Sequence, residues 1–221
     1  MNRRTFLSTA LGVASAKADL LLPSDTPDEL GFRLMWYNPV APLDPSKYKL
    51  RVGGLVDKPL SLGLADLRKL PQESFSARMK CVQGWSARTT WGGFRFVNLL
   101  DLAKPQSGVK AIRIDCADKW YEYFPIEEMV SSRVLLVLDM AGKPLADRHG
   151  APLRLLDPRR YGYKSAKLIT SIEFLKEGKG SMACDIAPYY TPDGWIQAGY
   201  DLPLDLKGPR RKSKAGEITE Y

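Results

Sequence analysis

Residues 79–93 read MKCVQGWSARTTWGG. They close a run, Ser74 to Lys80, in which apolar and polar residues alternate as on a half-buried strand. Cys81 therefore stands at a strand end, just ahead of a turn-rich segment that carries Trp85, Trp91, Gly92 and Gly93. A thiol so placed can reach out of the fold. Its sequence neighbours Arg78, Lys80 and Arg88 favour the thiolate, and a thiolate is a soft donor that suits a soft, high-valent metal. Free cysteine is also among the most buried residue types, so on this stretch alone a packed core thiol stays open beside a ligand or a nucleophile.

With 221 residues, 44% hydrophobic and 26% charged, the chain has the make-up of one globular domain with a sizeable core. Cys81, Cys116 and Cys184 form an odd set with no C-x-x-C pair. That excludes a disulfide scaffold and the common zinc and thioredoxin patterns, and leaves at least one thiol free. The formal charge of +8 is spread along the chain. Its one dense run, Arg210 to Lys214, reads as part of a solvated basic tail at about 205–221 rather than as a nucleic-acid patch. No apolar run approaches the roughly 18 residues of a transmembrane helix.

The first residues, MNRRTFLSTALGVASAKAD, place Arg3 and Arg4 before a short apolar stretch and an A-x-A pattern at Ala16 and Ala18. Residues 1–18 look like a twin-arginine export signal, a route that carries proteins already folded. Residues 19–47, with five prolines from Pro23 to Pro45, read as an extended arm laid over the domain, which occupies 48–221. Within the arm Trp36 is an anchoring aromatic, and Asn38 is a candidate ligand contact. Strands are expected from Tyr48 to Val56, Lys110 to Cys116, Trp120 to Phe124, Val134 to Met140 and Lys167 to Leu175. Short helices are expected from Ser61, as a cap, to Leu70, from Phe96 to Lys104, and as a turn at Ile126 to Ser131. Many strands with short helices and no βαβ regularity indicate an α+β fold with mixed sheets.

A second constellation, DRHGAPLRLLDPRRYGYKSAK, spans 147–167. It holds the single histidine, His149, then Arg154, Arg159, Arg160, Lys164 and Lys167 among Gly, Pro and Tyr. Guanidinium forks and glycine-turn N–H groups on rigid loops are what an anionic ligand requires. Solvated loop charges are the alternative.

Taken in order, MKCVQGWS, HGAPLR and YGYKSAK followed by IEF resemble the molybdopterin-binding domain of the sulfite oxidase family. The similarity is strongest to its small bacterial members of the protein-methionine-sulfoxide reductase type, and it runs from about Tyr48 to Lys176. It implies a sulfite-oxidase-like molybdopterin-binding fold and a molybdenum–molybdopterin cofactor. Residue by residue, it implies that Cys81 ligates molybdenum. Cys116, 35 positions on, would face the cofactor, and His149 would hydrogen-bond the pterin. Arg154, Ser165 and Lys167 would hold the pterin and its phosphate, and Asn38 would make an N-terminal cofactor contact. Trp85 or Tyr163 would wall the cleft.

The resemblance further implies a periplasmic, monomeric oxidoreductase that is not itself transmembrane. It would move one oxygen atom per two electrons and exchange electrons with a haem-containing membrane partner. Sulfite enzymes of the family place an arginine in the arm where this chain has Met35, Trp36 and Tyr37. A small-molecule or protein-bound sulfoxide, or an N-oxide, is thus expected as substrate, with sulfite oxidation as the alternative should Arg33 take that arginine's place. Two other classes remain open on residue types alone: a thiol hydrolase using Cys81 with His149, and a cofactor-free binding module.

Overall fold

The computed structural model describes residues 19–187, 190–197, 200–201 and 211–212. The export-type leader at 1–18 and most of the basic tail lie outside the described residues. From the arm onward the elements are β1 (Lys49–Gly54), β2 (Leu60–Gly63), α1 (Leu64–Arg68), β3 (Gln72–Lys80), β4 (Ser86–Arg95), α2 (Phe96–Ala103), β5 (Ala111–Cys116) and β6 (Tyr121–Pro125). They continue with α3 (Ile126–Met129), β7 (Leu135–Met140), β8 (Lys143–Pro144), β9 (Arg154–Leu156), β10 (Ile169–Leu175), α4 (Ala183–Ile186), β11 (Tyr200–Asp201) and β12 (Arg211–Lys212). Residues 19–47 hold only isolated bridges, Leu21 to Val40 and Ser24 to Leu34.

One sheet runs in the order β2-β1-β10-β5-β6 and a second in the order β3-β4-β7-β8, with β9 added on β7. All pairings are antiparallel except β1 with β10. This is the mixed-sheet α+β architecture expected. The main core lies between the sheets, where Leu50, Val52, Ile112, Ile114, Ile172 and Phe174 meet Phe94, Leu136, Leu138 and Leu155, with α2 packed alongside. The second sheet is covered on its other face too, by Phe32 of the arm and by Leu145 and Ala151 against Ala77, Met79, Trp91, Leu135 and Val137. Double coverage explains why β7 is apolar at successive positions: Leu135 and Val137 face one core, Leu136 and Leu138 the other.

Two expectations are corrected. The segment after Cys81 is not turn-rich beyond 81–85; Trp91, Gly92 and Gly93 lie in β4, paired with both β3 and β7. Glycine is there because the β7 backbone comes so close that a Cβ on Gly93 would sit 2.1 Å from the Leu136 carbonyl oxygen, at the register shift between Gly92 and Gly93. Nor does a helix start at Ser61, which pairs with Arg51 in β2. The helix starts after Gly63, whose N–H donates to Asp66 Oδ2 at 3.0 Å.

Candidate functional site

Where β3 ends, a cavity of about 340 Å³ opens toward the arm. Its floor comes from Cys81, the turn around His149, Arg154 and the 162–167 segment; its outer walls come from Phe32 to Tyr37 and from Ile186 and Tyr190. Cys81 opens the β3–β4 hairpin turn: its N–H donates to Trp85 O at 2.9 Å and its carbonyl accepts from Gly84 N–H at 3.2 Å, with Gly84 at φ 82°. Burial pushes the Cys81 thiol up, while the backbone N–H groups of Gln83 and Val82 and the charges of Arg33 and Lys167 pull it down. The cations acting on the thiol thus come from the arm and from the second constellation, not from Arg78, Lys80 or Arg88.

Arg154 is buried, 4% exposed, at the start of β9. Its Nη1 donates to His149 O at 2.9 Å, its Nη2 faces Met79 Sδ at 3.5 Å, and the guanidinium lies over the Trp91 ring at 5.1 Å. Its Nε, also buried, has no hydrogen-bond partner. Burial pulls this arginine down to about 9. His149 is equally buried, with Nε2 at 2.9 Å from Asp28 Oδ2. Burial and then Arg154 push the imidazole down to about 4, so it is neutral at neutral pH. Asp28 belongs to the arm, and its Oδ1 accepts from Leu30 and Phe32 N–H at 2.9 Å each. With Nε2 of His149 turned to Asp28, and the Cys81 thiol facing Gln83 Oε1 at 3.7 Å, the hydrogen bond that a Cys–His hydrolase needs is not made.

Lys167 donates to Met35 O, and its Nζ lies 3.7 Å from the centre of the Trp36 ring. Burial, then the charge of Arg154, lowers it to about 7. Gly150, at φ 98°, permits this: a Cβ there would lie 2.6 Å from Lys167 Cβ, so only glycine lets the His149 turn pack on the lysine. Ser165 is buried in the same wall and donates its N–H to Gly162 O at 3.0 Å.

The basic run therefore divides. Arg159 pairs with Asp157 at 2.7 Å, Arg160 with Asp157 at 3.1 Å and with Glu128, and Lys164 with Glu122 at 2.5 Å, the last pair fully buried. These three carry structure. Arg154 and Lys167 have no carboxylate within ion-pair distance among the described residues and face the cavity.

Of the residues proposed from sequence, Cys81, His149, Arg154, Ser165 and Lys167 meet in one wall, with Trp85 and Tyr163 beside them. Asn38 and Cys116 are not among the lining residues. Asn38 Nδ2 donates to Asp118 O at 2.8 Å and fastens the arm to the β5–β6 turn. Cys116 is buried behind the Lys167 backbone, and burial pushes its thiol well up. Sequence reasoning missed Asp28, which carries no motif, and left Arg33 as a conditional substitute. Arg33 does line the cavity, with its Nε buried and unpartnered.

Comparison with known proteins accords with this geometry. The profile of the family described as "Oxidoreductase molybdopterin binding domain" matches residues 37–183. The protein-methionine-sulfoxide reductase catalytic subunits MsrP of Campylobacter jejuni and Ralstonia nicotianae are each 34% identical, over 64% and 60% of this chain and 53% and 45% of their own. The chain thus spans about half the length of these relatives. An oxidoreductase of Bacillus subtilis, YuiH, is 32% identical over 73% of this chain and 76% of its own length. Among solved structures, the sulfane dehydrogenase SoxCD of Paracoccus pantotrophus superposes with a TM-score of 0.60 at 22% identity, over 77% of this chain and 45% of that one, a likeness of fold. Profile, relatives and architecture agree that the chain belongs to the oxidoreductase molybdopterin-binding domain family, within the sulfite-oxidase-like fold.

Proposed function

We propose that the cavity holds a molybdenum–molybdopterin group and that the protein transfers one oxygen atom and two electrons per turnover, in the direction of S-oxide reduction. Arg154 carries this reading. A guanidinium taken out of water without a counter-charge costs several kcal/mol, and an arginine with an unpartnered Nε, in a cavity it shares with Lys167 and Ser165, fits a phosphate-bearing ligand. The soft thiol of Cys81, which burial pushes up and the charges of Arg33 and Lys167 pull part of the way back, fits the metal end. When bound, the group supplies the two-electron oxygen-atom chemistry.

The residues of the chain then have distinct tasks. Cys81 holds the metal. Arg154 and Lys167 neutralise the phosphate, with the Ser165 side chain beside them. Neutral His149, beside Asp28, offers the pterin a hydrogen bond without adding charge. Met35, Tyr37, Trp85, Trp120 and Ile186 give the mouth an apolar, aromatic lining, suited to a neutral thioether oxide better than to a small dianion, whose desolvation needs fixed cations. The names of the MsrP relatives support a methionine sulfoxide as that substrate. In the same reading residues 1–18 export the folded protein to the periplasm, and a haem-containing membrane partner supplies electrons to the monomer. No described helix is long and apolar enough to cross a membrane.

One observation favours a second reading. Arg33 supplies a cation in the cavity where the motif comparison alone would leave none, and with Lys167 it forms a subsite for an anionic sulfur substrate, to be oxidised. Metal analysis tests the first step: exported protein should carry about one molybdenum per chain, and protein without molybdenum would overturn the proposal. Paired assays test direction. Reduced viologen with methionine sulfoxide should give turnover; efficient oxidation of sulfite by ferricyanide without sulfoxide turnover, abolished by Arg33→Gln, would establish the second reading instead.

A further inference from the structure

Met35 stands on the lip of this cavity, and 42% of its surface is exposed. It is the one exposed methionine among the described residues: Met79, Met129 and Met140 are at most 5% exposed and Met182 is half-buried. Exposure and thioether chemistry make it the first methionine that an oxidant meets. Its backbone is held on both sides, by Lys167 donating to Met35 O and by Asp118 Oδ2 accepting from Tyr37 N–H at 3.1 Å. Lys167 in turn is near enough for its charge to act on Cys81. Between these anchors the unbranched side chain is free to turn.

We propose that Met35 is an oxidation site which the protein reverses through its own cavity. A peroxide delivers one oxygen to the Met35 sulfur, giving the sulfoxide and water, or the corresponding alcohol from an organic peroxide. Reduction consumes two electrons from the reduced cofactor and two protons; the S–O bond breaks, the thioether is restored and the oxygen leaves as water. This rests on the S-oxide reading of the site. Until it is reduced, the lip presents a sulfoxide oxygen beside Lys167 and Arg33 and competes with incoming substrate.

The experiment uses exported holoprotein treated with limiting hydrogen peroxide, quenched, and followed by peptide mass spectrometry. Oxygen should appear on the Met35 peptide before those of Met79, Met129 and Met140; oxidation of the buried residues first would overturn the proposal whatever the cofactor does. Reduced viologen should then restore the Met35 thioether at a rate independent of protein concentration. Because peroxide makes both sulfoxide epimers, a return of about half suffices. The KM for free methionine sulfoxide should rise several-fold on oxidation and recover on reduction, and Met35→Leu should show neither change. If free sulfoxide is turned over while Met35 sulfoxide persists, the inference falls and the S-oxide reading stands. Should neither be reduced, both fall. A recovery rate proportional to protein concentration would mean reduction between copies and would also overturn it.

Discussion

Replacing Arg154 by Met should cost the protein its cofactor before it costs the fold. Losing one partner of a buried charge-assisted contact removes roughly 2–5 kcal/mol of binding, so molybdenum should be lost on dialysis by well over tenfold. The cofactor-free variant should melt at or above the cofactor-free parent, because a desolvated charge is gone; full metal occupancy in Arg154→Met would show that the guanidinium serves packing alone. Lys167 gives a pH test. Burial and Arg154 hold it near 7, and an anion that takes the protonated form raises that value, so binding consumes a proton above this pH. Affinity for the phosphate-bearing ligand should be level below pH 7 and fall by up to about tenfold per unit above it, with the slope absent in Lys167→Arg. His149 gives the opposite limb. Lowered from 6.5 to about 4, it leaves the folded state with fewer bound protons than the unfolded one between those values. Stability is therefore present above about pH 6.5 and lost as pH falls toward 4, by roughly 2–3 kcal/mol; urea titrations of the parent and His149→Gln, which should flatten this limb, check it. At this scale residue type marked Cys81 and the basic segment 147–167 in the sequence, and the family resemblance singled out His149 and Arg154 within it. Type does not separate Lys164 from Lys167, three positions apart, of which one is sealed against Glu122 and the other turned to the cavity. That distinction needs the carboxylates which topology brings from β6.

Among the elements, β4 was the longest that the sequence concealed. Alternation exposes a strand when one face is wet, but a Gly-Gly pair mid-strand reads as a turn unless the close approach of β7 is known. Gly93→Ala should accordingly destabilise the protein by about 3 kcal/mol, the upper end of overpacking costs, and loosen the β4–β7 pairing that carries the Cys81 hairpin. Chemical denaturation measures the first, and amide exchange at Leu136 and Val137 the second; an unchanged midpoint would mean that the backbones part easily there. The strands β1, β5, β6, β7 and β10 were legible within a residue or two because each carries its own apolar pattern. The brief β9 was not, since a three-residue strand has no period to read, and α1 was placed too early because Ser61 resembles a cap while Gly63 with Asp66 supplies one.

For the molecule as a whole, the arm and the segment after α4 both reach the site, by different means. Residues 190–196 are fastened through the buried Lys164, whose Nζ reaches Glu122, Tyr123 O and Pro192 O, and through Arg160 to Asp193 O and Tyr163 to Thr191 O. Lys164→Met should cost about 3–5 kcal/mol, because Glu122 keeps the Ser181 hydroxyl but is left buried without a counter-charge, and should open 190–197 to proteolysis; adding Glu122→Leu should recover most of the stability, as thermal melts of the two variants would show. On the other side the arm contributes Phe32 to Trp36, and both these residues and Ile186 and Tyr190 fall outside the span 37–183 that defines the family. The floor of the cavity thus lies inside the matched span, and its rim is shared between that span, through Tyr37, Trp85 and Trp120, and segments on either side of it. None of Arg33, Leu34 and Met35 is a core side chain, so the mouth can be recut by substitution there, with what enters the cavity changed and the packing of both sheets left as it is.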